Sequence, residues 1–333
     1  MEQPAVKIIF GAFMNYSIVQ IHQLIKRSLK SFRFRKNPPE LYQPFGYMLS
    51  LGGKRIRPLL TMMSYQLFRN NVEHIIRPAL AFELFHNFTL IHDDIMDAAP
   101  LRRGKETVHE KFGEHAAILA GDVMMIYAYE LLNSVNAKKK TDVIAGFNRA
   151  AIEVCEGQQM DLNFEKQPVN IRTYLKMIEL KTAVLIAACL KCGAILGGAS
   201  KSDQEHLYQF GRNMGIAFQL QDDWLDIFGS EKFGKKKGGD ILLNKKTFPL
   251  LKGIELSKKN NDQRLIDLLT ADHPEKISRV IFLLNEYTVK IYCEMEIAKY
   301  HSTALKHLEL VRVKSDRKKN LLQFATELII RDY

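Results

Sequence analysis

Two clusters of aspartates carry the chemistry available to this sequence. Phe82-Glu-Leu-Phe-His-Asn-Phe-Thr-Leu-Ile-His-Asp-Asp-Ile-Met-Asp97 is mostly apolar and closes on Asp93, Asp94 and Asp97. Gly215-Ile-Ala-Phe-Gln-Leu-Gln-Asp-Asp-Trp-Leu-Asp226 repeats the device with Asp222, Asp223 and Asp226. At helical spacing Asp93 and Asp97 leave one face, with Asp94 roughly 100° round. Like charges so placed on an apolar helix repel and need a compensating cation. Oxygen ligands short of a full protein cage suit Mg²⁺ that also holds a phosphate. A single Asp-Asp-x-x-Asp is equally compatible with a solvated acidic helix end. Two of them, each after apolar sequence and before a basic segment, predict facing helix ends that make a multi-metal diphosphate site.

Cations stand where such a site needs them. Leu51-Gly-Gly-Lys-Arg-Ile-Arg-Pro58 sets Lys54, Arg55 and Arg57 beside a flexible glycine pair, which lets backbone and side chains close on a phosphate. It is not a Walker loop, because Met48 lies five residues before Gly53 and no Ser or Thr follows Lys54. The bland alternative is a charged helix start. Leu101-Arg-Arg-Gly-Lys-Glu-Thr107 directly follows the first aspartates, so Arg102 and Arg103 can fold back on what the metals hold. His86, seven residues before Asp93, lies about 20° from it on the helical wheel.

From about Phe45 to about Thr247 the chain resembles the head-to-tail (trans) isoprenyl diphosphate synthases, the family of farnesyl and geranylgeranyl diphosphate synthases. Both aspartate motifs of that family are intact. The resemblance implies that Asp93, Asp94, Asp97, Asp222, Asp223 and Asp226 serve Mg²⁺, with three ions when substrate is bound. It maps Lys54, Arg57, His86 and Arg103 onto ligands of isopentenyl diphosphate, and expects Arg55 to face solvent. Arg102, Lys181, Lys235 and Lys245 map onto ligands of the allylic diphosphate (dimethylallyl, geranyl or farnesyl). Asn244 stands where the family commonly has glycine. Thr182, Gln158, Asp161 and the pair Phe218-Gln219 also match, and their oxygen dipoles are expected to stabilise charge. The implied product is C20, with C15 the alternative, because an aromatic residue (Phe88) and a small one (Thr89) stand five and four positions before Asp93. Phe85, about 80° from Asp93 on the wheel, is expected to share the floor of the cavity. A homodimer is the implied assembly.

Composition narrows the rest. The chain has 333 residues, 47% of them hydrophobic and 26% charged, as in ordinary globular proteins able to bury a core. The four cysteines, Cys155, Cys189, Cys192 and Cys293, lack disulfide or zinc spacing and are expected to be structural thiols. A net charge of +11 invites a nucleic-acid reading, but the lysine runs at 138–140, 235–237 and 258–259 are short, scattered and free of interleaved aromatics. No secretory cleavage pattern follows the short apolar run at 8–14, and no run reaches the ~18 residues of a membrane span. A cytoplasmic protein without nucleic acid or membrane as partner is the expectation.

The elements that position these residues are all helical. Ile18, Ile21, Leu24, Ile25 and Leu29 recur at helical spacing, as do apolar residues over about 57–70, 78–98, 107–134, 141–163, 171–198, 203–228 and 275–300. No stretch alternates as a strand. Pro38, Pro39 and Pro44 are placed in the first connection, Pro58 and Pro78 in helix first turns, and 229–244 in a long functional loop. The expected architecture is an all-α, single-domain helical bundle over 1–333 around a deep central cavity. Two other classes share part of this pattern. A class I terpene cyclase would replace the second aspartate motif with an Asn/Asp-Ser/Thr-Glu motif, and a non-catalytic subunit would have lost an aspartate or the Gly52-Gly-Lys-Arg run.

Overall fold

The computed structural model describes residues 16–164, 166–229 and 238–329. The chain begins with α1 (Ile18–Lys30), α2 (Pro39–Ser50), α3 (Ile56–Gln66), a 3₁₀ turn (Val72–Ile75) and α4 (Ile76–Met96). The short strands β1 (Leu101–Arg102) and β2 (Lys105–Glu106) follow, then α5 (Val108–Phe112), α6 (Glu114–Leu132), α7 (Ala137–Phe164) and α8 (Ile171–Ile178). A π-turn (Glu179–Ala183) leads into α9 (Val184–Gly197) and α10 (Lys201–Phe228). Six shorter or peripheral helices close the chain: α11 (Gly239–Leu242), α12 (Phe248–Lys259), α13 (Arg264–Thr270), α14 (Lys276–Glu286), α15 (Val289–Leu310) and α16 (Ser315–Ile329).

The class is all-α. α4 is apolar on nearly every side and buried without interruption from Pro78 to Phe85, so it takes a central place, packed on α3, α6 and the 3₁₀ turn. α9 packs on α3, α7 and α10, and α10 on α15. Apolar side chains gather in two clusters, one around α1–α4, α6, α7 and α9, the other around α8, α10 and α12–α15. Met160 on α7 touches both. Caps fix the helix starts: Ser17 and Gln20 form a reciprocal capping box on α1, and the Ser200 hydroxyl accepts from Asp203 N at the start of α10.

Several expectations are corrected. The stretch before Thr107 is a two-stranded ribbon, Leu101 opposite Glu106 and Arg102 opposite Lys105, because Arg103 (φ 55°) and Gly104 (φ 74°) both take the left-handed conformation of a tight hairpin turn. Pro39 and Pro44 lie within α2, not in a connection. Gly113 (φ 87°) splits 107–134, the π-turn interrupts 171–198, and Thr288 (φ 56°) splits 275–300. Two helical stretches, Glu114–Leu132 and Ile171–Gly197, are long and apolar enough to cross a membrane, where none was expected. The second is 83% buried inside the protein, as befits a core helix.

Candidate active site

The C-terminal end of α4 presents its three acids differently. Asp93 lines a cavity of about 360 Å³, Asp97 is exposed, and Asp94 is 1% exposed. Asp94 faces β1, where Arg102 Nε donates to both its oxygens at 2.9 and 2.7 Å and the outer guanidinium nitrogen stands at 2.6 Å. The 100° offset of Asp94 therefore turns it to the hairpin. Burial pushes Asp93 up to about 6; Lys181 pulls it down and Asp97 adds to the rise. The helix dipole is also negative at this end, and a divalent cation would offset it along with the acids.

Across the cavity the π-turn presents Lys181 and Thr182. Lys181 Nζ meets Asp161 at 2.6 Å. Burial opposes its charge, but Asp161, Asp93 and Asp97 together hold Lys181 above the ordinary lysine value. The Thr182 hydroxyl donates to Gln219 Oε1 (3.3 Å), whose amide nitrogen donates to Asp223 (3.3 Å). Asp223 also accepts from the Tyr174 hydroxyl and from Phe248 N at 3.2 Å; burial pushes its carboxyl up to about 7 against these bonds. Like Asp94, it is hydrogen-bonded within the protein. Asp226 accepts from Asp240 N (3.0 Å), and Asp222 is half-buried near the end of α10. Lys245 is exposed, and Asn244 adopts φ 50°, the left-handed geometry that asparagine tolerates where glycine is usual. Lys235 lies outside the described residues.

At the far side of the hairpin Arg103 reaches the glycine pair. Its guanidinium donates to Gly52 O and lies so close to Gly53 (φ 121°) that a Cβ there would stand 2.7 Å from it. Gly53 is thus favoured by its conformation, whereas the Arg103 guanidinium, at the end of a flexible side chain, can shift. Arg57 and His86 line the cavity. Burial first, then Arg57, Arg103, Arg102 and Arg55, hold His86 well below 6.5, so the imidazole is neutral. Lys54 is exposed at the same loop. Arg55 does not face solvent: it is 7% exposed, bonded to Glu83 and to Leu49 O at 2.7 Å each.

Phe88 and Thr89 line the cavity, but Phe85 does not; it is fully buried behind Phe88, edge-on to Phe147. His92 lines the cavity beside Phe88, its ring meeting Phe88 edge-on with centroids 4.7 Å apart. His92 was missed in the sequence because a lone histidine on an apolar helix has no distinguishing signal. Gln158 also lines the cavity, its buried carbonyl oxygen without a hydrogen-bond partner. A larger, more open cleft of about 800 Å³ between α8, α12 and α15 contains none of these aspartates.

Among the described residues no three carboxylates, imidazoles or thiols stand together as a ready cage. The donor set still fits Mg²⁺: hard oxygens from Asp93, Asp97 and Asp222, too few to saturate it, with room for a ligand that brings its own. The four cysteines are unpaired, and burial pushes Cys189 up to about 12.

Residues 38–287 match the polyprenyl synthetase family. The chain is 39% identical over 251 residues to the short chain isoprenyl diphosphate synthase of Methanocaldococcus jannaschii, covering 75% of this chain and 76% of that one. It is 36% identical over 318 residues to the geranylgeranyl pyrophosphate synthase of Geoglobus acetivorans, covering 93% and 97%. Among solved structures, a geranylgeranyl pyrophosphate synthase superposes with a TM-score of 0.91 at 41% identity, covering 96% of this chain and all of that one. The acid ends of α4 and α10, the cations around them and these likenesses agree: the chain belongs to the polyprenyl synthetase family and is a trans-isoprenyl diphosphate synthase.

Proposed function

We propose that this enzyme, working as one domain, condenses isopentenyl diphosphate with allylic diphosphates to a C20 prenyl diphosphate. The observation that carries the length is Phe88, which lines the cavity next to Asp93 and is backed by Phe85 and His92. Asp93, Asp97 and Asp222 would hold Mg²⁺, three ions with substrate bound, whose charge would neutralise the allylic diphosphate and improve it as a leaving group. Lys181, Lys235 and Lys245 bind that diphosphate and absorb its charge as the C–O bond ionises. Arg102, anchored by Asp94, offers its remaining N–H groups beside them. Lys54, Arg57 and Arg103 grip isopentenyl diphosphate, and neutral His86 donates to it. The allylic cation faces oxygen dipoles, Thr182, Gln219 and the unpartnered Gln158 oxygen. The isopentenyl double bond attacks C1 of the cation, and the proton then lost goes to the departed diphosphate. The apolar wall keeps water from the cation.

Labelled isopentenyl diphosphate supplied with each allylic primer tests this reading through product length. The wild type is expected to stop at C20; accumulation of C15 alone would favour the farnesyl alternative. Phe88→Ala is expected to lengthen the main product by at least one isoprene unit, since a packed wall yields little until its ring is removed. An unchanged distribution would place the floor elsewhere. Phe85→Ala acts only through Phe88 and should have the smaller effect.

The proposed assembly is a homodimer in the cytoplasm. α6 leaves Leu119 and Ile126 at 55% and 66% exposure, and α7 leaves Ile152 exposed, an apolar surface suited to a second copy. Ile126→Glu is expected to shift the mass in light scattering toward the monomer; an unshifted mass would remove α6 from the interface.

A further inference from the structure

We propose that Gly157 on α7 and Gly215 on α10 are positioning residues that clamp the π-turn from both sides and so hold Lys181 and Thr182 at the allylic diphosphate. The inference rests on the reading of Lys181 as a ligand of that diphosphate. A π-turn spends an extra residue per turn and swings the side chains that follow it, so its backbone must be held if they are to point reproducibly. A Cβ at Gly157 would stand 2.2 Å from Lys181 N and 2.7 Å from Leu180 C. A Cβ at Gly215 would stand 2.5 Å from Ala183 Cα and 2.7 Å from its Cβ. The obstructing atoms are mainly backbone, which cannot swing aside as a side chain can. Both glycines are buried within regular helix, where glycine is otherwise disfavoured.

The spacing explains what the close approach achieves. Asp161 lies four residues after Gly157 and Gln219 four after Gly215, each one helical turn along the same face. Those two side chains hold the π-turn's functional groups: Asp161 at 2.6 Å from Lys181, Gln219 at 3.3 Å from Thr182. Short side chains reach only because the helices touch backbone to backbone one turn away. Each clamp is thus a glycine contact followed by a polar tether.

The test compares Gly157→Ala and Gly215→Ala with Gly146→Ala, an α7 glycine with nothing near its Cβ position. Expected for the first two is a rise of at least tenfold in KM for the allylic substrate, with KM for isopentenyl diphosphate within twofold; Gly146→Ala leaves both unchanged. Lys181→Ala separates the two ideas. If it leaves the allylic KM unchanged, the reading of Lys181 fails. If it raises that KM while the glycine variants leave both constants alone, or raise them equally, the clamp is overturned. Failure of both glycine variants to fold would assign them to the fold alone and overturn it as well.

Discussion

Asp93→Ala and Asp222→Ala are each expected to lower kcat by about a thousandfold or more, with far-UV circular dichroism retained. A factor of that size corresponds to about 4 kcal/mol of transition-state stabilisation, within what metal-held charge neutralisation supplies. Chelation of Mg²⁺ should produce the same loss in the unmutated enzyme. The sign of the pH effect follows from burial. In metal-free protein Asp93 is raised from 3.8 to about 6, so its contribution to stability is complete below 3.8 and lost as pH rises through about 6. At neutral pH the empty carboxylate is a liability, and Mg²⁺ competes with a proton for it below that range. Half-saturation in steady-state assays should therefore require more Mg²⁺ at pH 5.5 than at 7.5. Turnover within tenfold of wild type in either mutant would dismiss the two-ended metal site.

The second large effect is on stability. Arg55 and Glu83, 7% and 2% exposed and 2.7 Å apart, form a buried ion pair, and the Asn87 amide nitrogen donates to Glu83 O at 2.7 Å. Truncating one partner leaves a buried charge uncompensated, so Arg55→Ala is expected to cost about 3–5 kcal/mol in urea unfolding. Removing both charges with Arg55→Met/Glu83→Leu should recover most of that loss. A cost below about 1 kcal/mol for Arg55→Ala would show that water or a shifted side chain replaces the guanidinium.

The aspartates were legible in the sequence because a carboxylate at i and i+4 is a local fact of helical geometry, and Asp93, Asp97 and Asp222 stand as that spacing implies. Their neighbours were not, because their partners lie outside the motifs themselves. Asp94 is taken by Arg102 on the hairpin, and Asp223 by Tyr174, 49 residues away; nothing in the local pattern of either motif reports these bonds. Arg55 read as solvated because its partner Glu83 lies 28 residues on, within an otherwise apolar helix. The π-turn was invisible for another reason: hydropathy runs through 171–198 without a break, while an extra residue in one turn changes direction and not composition. Phe85 shows the limit of the wheel, which gives an angle from Asp93 but not the depth at which a ring lies. The hairpin was hidden by size, since two residues per strand cannot display alternation.

The crowding of acids at the negative end of α4 ties the enzyme's endurance to its workload. An idle molecule bears the cost of burying Asp93, to which Asp97 adds and which Lys181 offsets in part, whereas bound Mg²⁺ and a diphosphate would relieve it. Ligand that binds only the folded chain at a hundred times its Kd adds about 2.7 kcal/mol, several degrees of melting temperature for a protein of this length. Bound substrate therefore also protects the chain: protein without ligand is expected to melt earlier and to be cut faster by an added protease than protein holding Mg²⁺ and a diphosphate.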